Sequence, residues 1–159
     1  MIKVYDSNET LFENNGIKIL HPLLAEVTKV DNGDYCVELR DVIENLECYQ
    51  KGMIIRIPTP WGVQGFRCCN PCVKNNRVEC TAWHLSYDSK YYVIKDAYSV
   101  DKNCNSALEH FNSATDRPSP FTTISDITTI MSARMVRKSL YEVYGELVSE
   151  YYGGHWYRD

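Results

Sequence analysis

Residues 64–88, QGFRCCNPCVKNNRVECTAWHLSYD, constrain the fold of this chain more than any other stretch. They hold four of its seven cysteines and set an Asn75-Asn76 turn between two runs that suit strands. Cys69-x-x-Cys72 followed by Cys80-x-x-x-His84 also has the ligand types and spacings that zinc uses. The two readings compete. Side chains alternate faces along a strand, so residues three apart point to opposite sides. A tight turn at Asn75-Asn76 sets Cys72 opposite Glu79 and Cys69 opposite Ala82. The hairpin reading therefore keeps Cys69, Cys72, Cys80 and His84 from converging on a metal, although Pro71 leaves room for a looser loop. Phe66, Trp83 and Leu85 are its expected core contacts, with the cysteines acting as small apolar residues. A thiol nucleophile would need a base within hydrogen-bond reach. Cys80, His84 and Asp88 share a strand face but lie roughly 13 Å apart along it. No catalytic residue, metal or cofactor is expected.

The remaining chain supports a β-rich first part. IKVYD at residues 2–6 and GIKIL at 16–20 are short strand signals. AEVTKV and DYCVEL alternate on either side of Asp31-Asn32-Gly33, where Asn-Gly suits a tight primed turn with positive φ at both central residues. Residues 42–52 are a connection or short helical turn. Residues 53–57 (MIIRI) are a strand ended by the prolines of 58–62, which remove ladder donors. YYVIKDAY from Tyr91 is a further strand. Short strands at this spacing suggest a small antiparallel barrel or sandwich over residues 1–95.

Residues 96–159 differ. Ser106 and Glu109 match a capping box, with Ala107, Leu108, Phe111 and Ala114 at helical spacing behind it. FTTISDI at 121–127 is expected as a strand and residues 134–138 as a basic connector. Ser139 and Glu142 form a second capping box. Leu140, Val143, Tyr144, Leu147, Val148 and Tyr151 then define one apolar helical face. Gly145 inside that helix suggests close packing, and Gly153-Gly154 is the stop. HWYRD begins another strand, so this second part is expected to be an incomplete α/β domain. The fold class is α+β.

Composition narrows the function. No apolar run approaches the ~18 residues that span a bilayer, and the first residues lack an apolar signal segment. A net charge of −4 argues against stable nucleic-acid or membrane binding. Twelve tyrosines favour half-buried strands and interfaces. His21, His110 and His155 stand alone. The carboxylate pairs Glu44/Glu47 and Glu142/Glu146 and the basic group Arg134, Arg137 and Lys138 are expected to be solvated surface. There is no serine elbow, zinc-protease helix or phosphate-binding glycine loop.

YDSNETLFENNGIKIL, VTKVDNGDYCVELR, QGFR…VECTAWHLSYD, PFTTISD and the last helix running into YYGGHWYRD occur in an order that resembles the N-terminal region of phage minor structural proteins, the tail-associated prophage tail endopeptidase family. The ordered set carries the resemblance, over essentially the whole chain, and no single segment does. It implies a baseplate hub: a β-barrel-like domain followed by an inserted α/β domain. Three copies would close the tail tube and dock on the distal tail protein. Any peptidoglycan endopeptidase activity would lie in a separate C-terminal region. The expected location is the virion tail tip, after synthesis in the host cytoplasm, and the chain reads as a truncated piece of the hub. The cysteines of the central hairpin depart from the family's ordinary strand residues. Two alternatives stand beside this reading, a fragment of a peptidoglycan hydrolase and a small zinc-binding module.

Overall fold

A computed structural model describes residues 1–31 and 33–158. The chain forms two compact units, residues 1–85 and 86–158. The junction falls earlier than residue 95, so the strand beginning at Val93 belongs whole to the second unit. The architecture is α+β, mostly antiparallel strands with a few helices.

The first unit is one antiparallel sheet of seven strands: β1 (Ile2–Tyr5), β2 (Lys18–Leu20), β3 (Leu24–Lys29), β4 (Tyr35–Val42), β5 (Ile54–Thr59), β6 (Gly62–Lys74) and β7 (Arg77–His84). Their order is β2-β1-β5-β6-β7-β4-β3. The two edge strands are thus joined by only His21, Pro22 and Leu23. Seven flat strands about 4.8 Å apart would separate the edges by about 29 Å. Four extended steps from Leu20 to Leu24 span at most about 14 Å. The sheet has to curl, and it forms a half-barrel. A 3₁₀ helix, Ile43–Tyr49, covers the connection between β4 and β5. Its start is tied by the buried carboxylate of Asp41, which accepts from the Val42 amide, Asn45 Nδ2 and the Tyr49 hydroxyl, each at 2.8 Å.

The β3–β4 connection is one residue longer than a two-residue primed turn. Val30 N–H donates to Asp34 O at 2.8 Å and Gly33 N–H to Val30 O at 3.0 Å, leaving three residues between the last paired positions. Asn32, which carries half of the Asn-Gly signal, lies outside the described residues. The β6–β7 turn has the expected form, with Asn75 and Asn76 at φ of 48° and 58°. Pro58 does not end β5: it pairs with Val63, and the strand turns after Thr59.

The second unit packs an antiparallel ribbon, β8 (Val93–Asn103) and β9 (Ile130–Ser139), on helices α1 (Cys104–Ser113) and α2 (Leu140–Glu146), the latter continued by a π-helical turn, Leu147–Tyr151. Ile94, Ala97, Leu108, Phe111, Met135, Leu140, Val143 and Leu147 form its core. The capping box at Ser139 and Glu142 is present with both bonds. The one expected at Ser106 is not. Asn103 caps α1, accepting from the Ser106 amide at 2.9 Å, so Ser106 sits inside the first turn. Residues 134–138 are strand rather than connector: Ala133 and Met135 point into the core while Arg134 and Val136 point out. Gly145 has open space where a Cβ would be, so it marks no close contact.

Residues 121–127 alternate in burial like a strand yet belong to no ladder. Their hydrogen bonds run to α1 side chains instead. Asn112 Nδ2 donates to Phe121 O and Thr123 Oγ1, at 3.4 and 3.1 Å, and Asn105 Oδ1 accepts from the Ser125 amide at 3.1 Å. Asn105 and Asn112 are seven apart and so share a helix face. HWYRD is not a strand within the described residues either. Arg158 holds this segment, donating to the hydroxyls of Tyr87 and Tyr141 at 2.8 and 2.9 Å. Its guanidinium carbon lies 4.6 Å from the Tyr87 ring centroid and 4.5 Å from that of Trp156. Asp159 lies outside the described residues.

Candidate functional site

The inner face of the curled sheet carries the most chemically distinctive side chains of the first unit. Register builds a lateral row across it. Val4 opposes Ile55, Ile55 opposes Phe66, and Phe66 opposes His84. His84 stacks on Tyr35 of β4, and Lys29 opposes Tyr35 on the edge strand. The Tyr35 and His84 ring centroids are 4.2 Å apart with planes 16° from parallel. Phe66 meets both rings edge-on, at 5.4 and 5.6 Å. Lys29 Nζ sits 4.9 Å from the Tyr35 centroid and 5.0 Å from that of Trp61, a cation–π contact at the row's outer end. His84 Nε2 lies 3.0 Å from Gln64 Oε1, while Gln64 Nε2 donates to Trp61 O at 3.2 Å. With the amide so oriented, Nε2 of His84 carries the proton and donates. The imidazole is held as a core group rather than as a base at that nitrogen.

The central hairpin departs from a regular ladder at one point. Cys68 opposes Ala82 but Asn70 opposes Thr81, so Cys69 is the extra residue of a β-bulge. Cys72 opposes Glu79 as the turn requires, whereas Cys69 has no place opposite Ala82. The same bulge decides which aromatic faces inward. Without it, the turn at Asn75-Asn76 would set Phe66 against Leu85 and Cys68 against Trp83. With it, Val78, Cys80, Ala82 and His84 are buried and Trp83 and Leu85 fall on the other face, half-buried. Of the expected core contacts, Phe66 alone is fully buried. Pro71 is tolerated because β5 accompanies β6 no further than Cys68, whose last bonds go to Met53 O and from Gly52 N–H.

Cys80 and His84 lie on the buried face, Cys69 is half-buried at the bulge and Cys72 is exposed. Among the described residues no three histidine, cysteine or acidic side chains form a group that could hold a metal ion. Asp88 is carried by a 3₁₀ helix, Leu85–Tyr91, not by β7. The pair the hairpin does bring together is Cys68 with Cys80. Both are buried, and the Cys80 thiol donates to Thr81 O at 3.6 Å. The neighbouring Cys68 thiol lowers the Cys80 pKa, and the Cys80 thiol, ahead of burial, raises that of Cys68. Burial raises the thiols of Cys36, Cys48 and Cys104. Strand parity was the available signal for Gln64 and Cys68, which stand two residues either side of Phe66. Tyr35 needed the β4–β7 pairing, which no local pattern encodes.

The other candidates resolve into pairs and caps. Arg134 makes a two-pronged ion pair with Asp96 at 3.0 and 2.6 Å, and Lys138 bonds Glu146. Glu142 caps Ser139, and Glu47 lies 3.9 Å from Lys18 Nζ. His21 and His155 are exposed and His110 is half-buried on α1.

At the two sheet edges the surface is apolar. Ile17 and Ile19 flank and form β2, while Leu23, Leu24 and Val30 flank and form β3, and all five are exposed. No helix among the described residues is long and apolar enough to cross a membrane. No protein-family model matches the chain, and no curated protein matches it.

Proposed function

We propose that this chain is a structural virion protein, a baseplate hub or tail-tip subunit of a long-tailed bacteriophage, working by assembly rather than catalysis. The observation that supports it most is the curled sheet with two open edges bordered by exposed Ile17, Ile19, Leu23, Leu24 and Val30. Unpaired strand edges recruit strands of other chains, and apolar residues beside them stabilise the contact. The ordered sequence segments supply the phage-tail assignment. In this reading three copies form a ring at the end of the tail tube and dock on the distal tail protein. Light scattering of the chain alone, and mixed with a phage distal tail protein, tests it. A mass three times that of the chain, or a complex with three-fold stoichiometry, is expected. A strict monomer that associates with neither itself nor the tail protein overturns it, as does peptidoglycan cleavage by the chain alone.

A further inference from the structure

Every step in the order β2-β1-β5-β6-β7-β4-β3 is antiparallel, so β2 and β3, an even number of steps apart, run in the same direction. With only His21, Pro22 and Leu23 between them they are halves of one bent strand, the first paired with β1 and the second with β4. β1 begins at Ile2, opposite Leu20. The place on its line beside β3 therefore holds no strand among the described residues. Side chains show that this place is open. Ala25 and Val27 oppose the buried Leu39 and Val37 on the inner face, yet Ala25 is exposed and Val27 half-buried. The backbone is turned toward it as well. Val30 N–H donates to Asp34 O, and only alternate pairs of an antiparallel ladder exchange hydrogen bonds. Leu24, Glu26 and Thr28 thus bond β4, while Ala25 and Val27 aim N–H and C=O away from it.

We propose that the free edge of β3 docks an extended segment of a partner protein that alternates apolar residues, facing inward, with lysine or arginine, facing outward. Main-chain bonds to Ala25 and Val27 hold such a segment, and its apolar residues cover theirs. Glu26 and Glu38 set the charge. They stand directly opposite each other, both exposed and neither in an ion pair among the described residues. Like charges so placed are destabilising, and a cation on an added strand offsets them. Antiparallel pairing with the same edge of a second copy would instead bring that copy's Glu26 and Glu38 to the same face. A charged edge deters unselective pairing, and here its sign selects a basic strand. The inference uses the edge alone and stands whether or not the chain is a virion protein.

The test is fluorescence anisotropy of labelled peptides about the length of β3, alternating valine with lysine or valine with glutamate, titrated with the full chain. Saturable binding of the lysine peptide is expected, about tenfold tighter than that of the glutamate peptide. The net charge of −4 attracts any basic peptide, so a variant that alters no charge has to separate edge pairing from bulk attraction. Ala25→Pro does so: it removes an outward N–H and sets a ring where the strand would lie, without touching a β3–β4 bond. It should weaken binding about tenfold or more. Glu26→Lys, on an exposed side chain, should reverse the preference between the peptides and keeps the test decisive if the proline variant does not fold. Absence of saturable binding by the lysine peptide overturns the proposal, as do equal affinities for the two peptides or binding that neither substitution changes. Self-association of the chain that Ala25→Pro abolishes would give the edge to a second copy and overturn it too.

Discussion

Tyr35 and His84 stack face to face, 4.2 Å between centroids, although they stand 49 positions apart in the chain; each is the direct neighbour of one member of the Cys36–Trp83 pair that joins β4 to β7. The stack buries an imidazole whose Nε2 is held by Gln64. Removing only the acceptor leaves a buried polar nitrogen to be desolvated without its bond. Gln64→Leu is therefore expected to cost about 1–3 kcal/mol in urea unfolding. Adding His84→Phe keeps the stack on Tyr35, removes the stranded nitrogen and should return most of that loss. Equal losses in the single and double variants would mean that the Gln64–His84 bond is not what Gln64 contributes.

Two glycines should respond in opposite ways to alanine. Gly145 lies inside α2 with nothing within 4 Å of an added Cβ. Gly145→Ala should stabilise by about 1 kcal/mol through helix propensity and a less free unfolded chain. Gly16 has φ of 73°, and an added Cβ would stand 2.3 Å from Val4 O, the same carbonyl that accepts from the Ile17 amide. Gly16→Ala should cost about 2 kcal/mol or more, from the left-handed backbone and the displaced strand pairing. Urea midpoints of the two variants, compared with the parent, read both signs directly.

The helix caps separate a correct local pattern from a misplaced one. Ser139→Ala and Asn103→Ala should each cost about 1 kcal/mol, because each removes the acceptor for an otherwise orphan amide. Ser106→Ala should stay within about 0.5 kcal/mol, since Ser106 contributes its backbone rather than a cap. A larger loss at Ser106 than at Asn103 would put the helix start back at Ser106.

What was legible in the sequence was what neighbours in the chain decide. Asn75-Asn76 fixes the turn of β6 and β7, Ser139 and Glu142 fix the start of α2, and the apolar spacing from Leu140 to Val148 fixes its buried face. What was not legible depends on distant partners or on one extra residue. The bulge at Cys69 exchanges Trp83 and Leu85 for His84 on the inner face, and a period-two pattern cannot register a single insertion. Residues 121–127 have the alternation of a strand, but Asn105 and Asn112 take the hydrogen bonds a neighbouring strand would have made. Conversely β9 reads as a basic connector because Arg134 is there for Asp96, 38 residues earlier. The curl of the sheet was hidden until the strand order was known, after which the short link between β2 and β3 requires it. For the same reason the buried neighbours Cys68 and Cys80 were outside the reach of spacing rules that pointed to Cys69 and Cys72.

Two buried phenols give the chain an alkaline limit. Burial, reinforced by the hydrogen bond to the Asp41 carboxylate, holds the Tyr49 proton far above the usual phenol range. Burial also pushes Tyr144, bonded to Asn112, up to about 12. In the unfolded chain both titrate near about 10. Below that pH both states hold the protons and the contribution to stability is constant. Above it the unfolded chain releases protons that the folded chain retains, so stability falls by about 1.4 kcal/mol per pH unit for each phenol. For Tyr144 the fall ends as pH passes through its folded value of about 12. Urea unfolding between about pH 9 and pH 11 should thus show a steepening loss above about pH 10. Tyr49→Phe, which gives up the bond to Asp41, should be less stable at neutral pH yet lose stability less steeply in alkali. Tyr144→Phe should flatten the same limb. A slope that neither substitution changes would show that other groups set the alkaline limit.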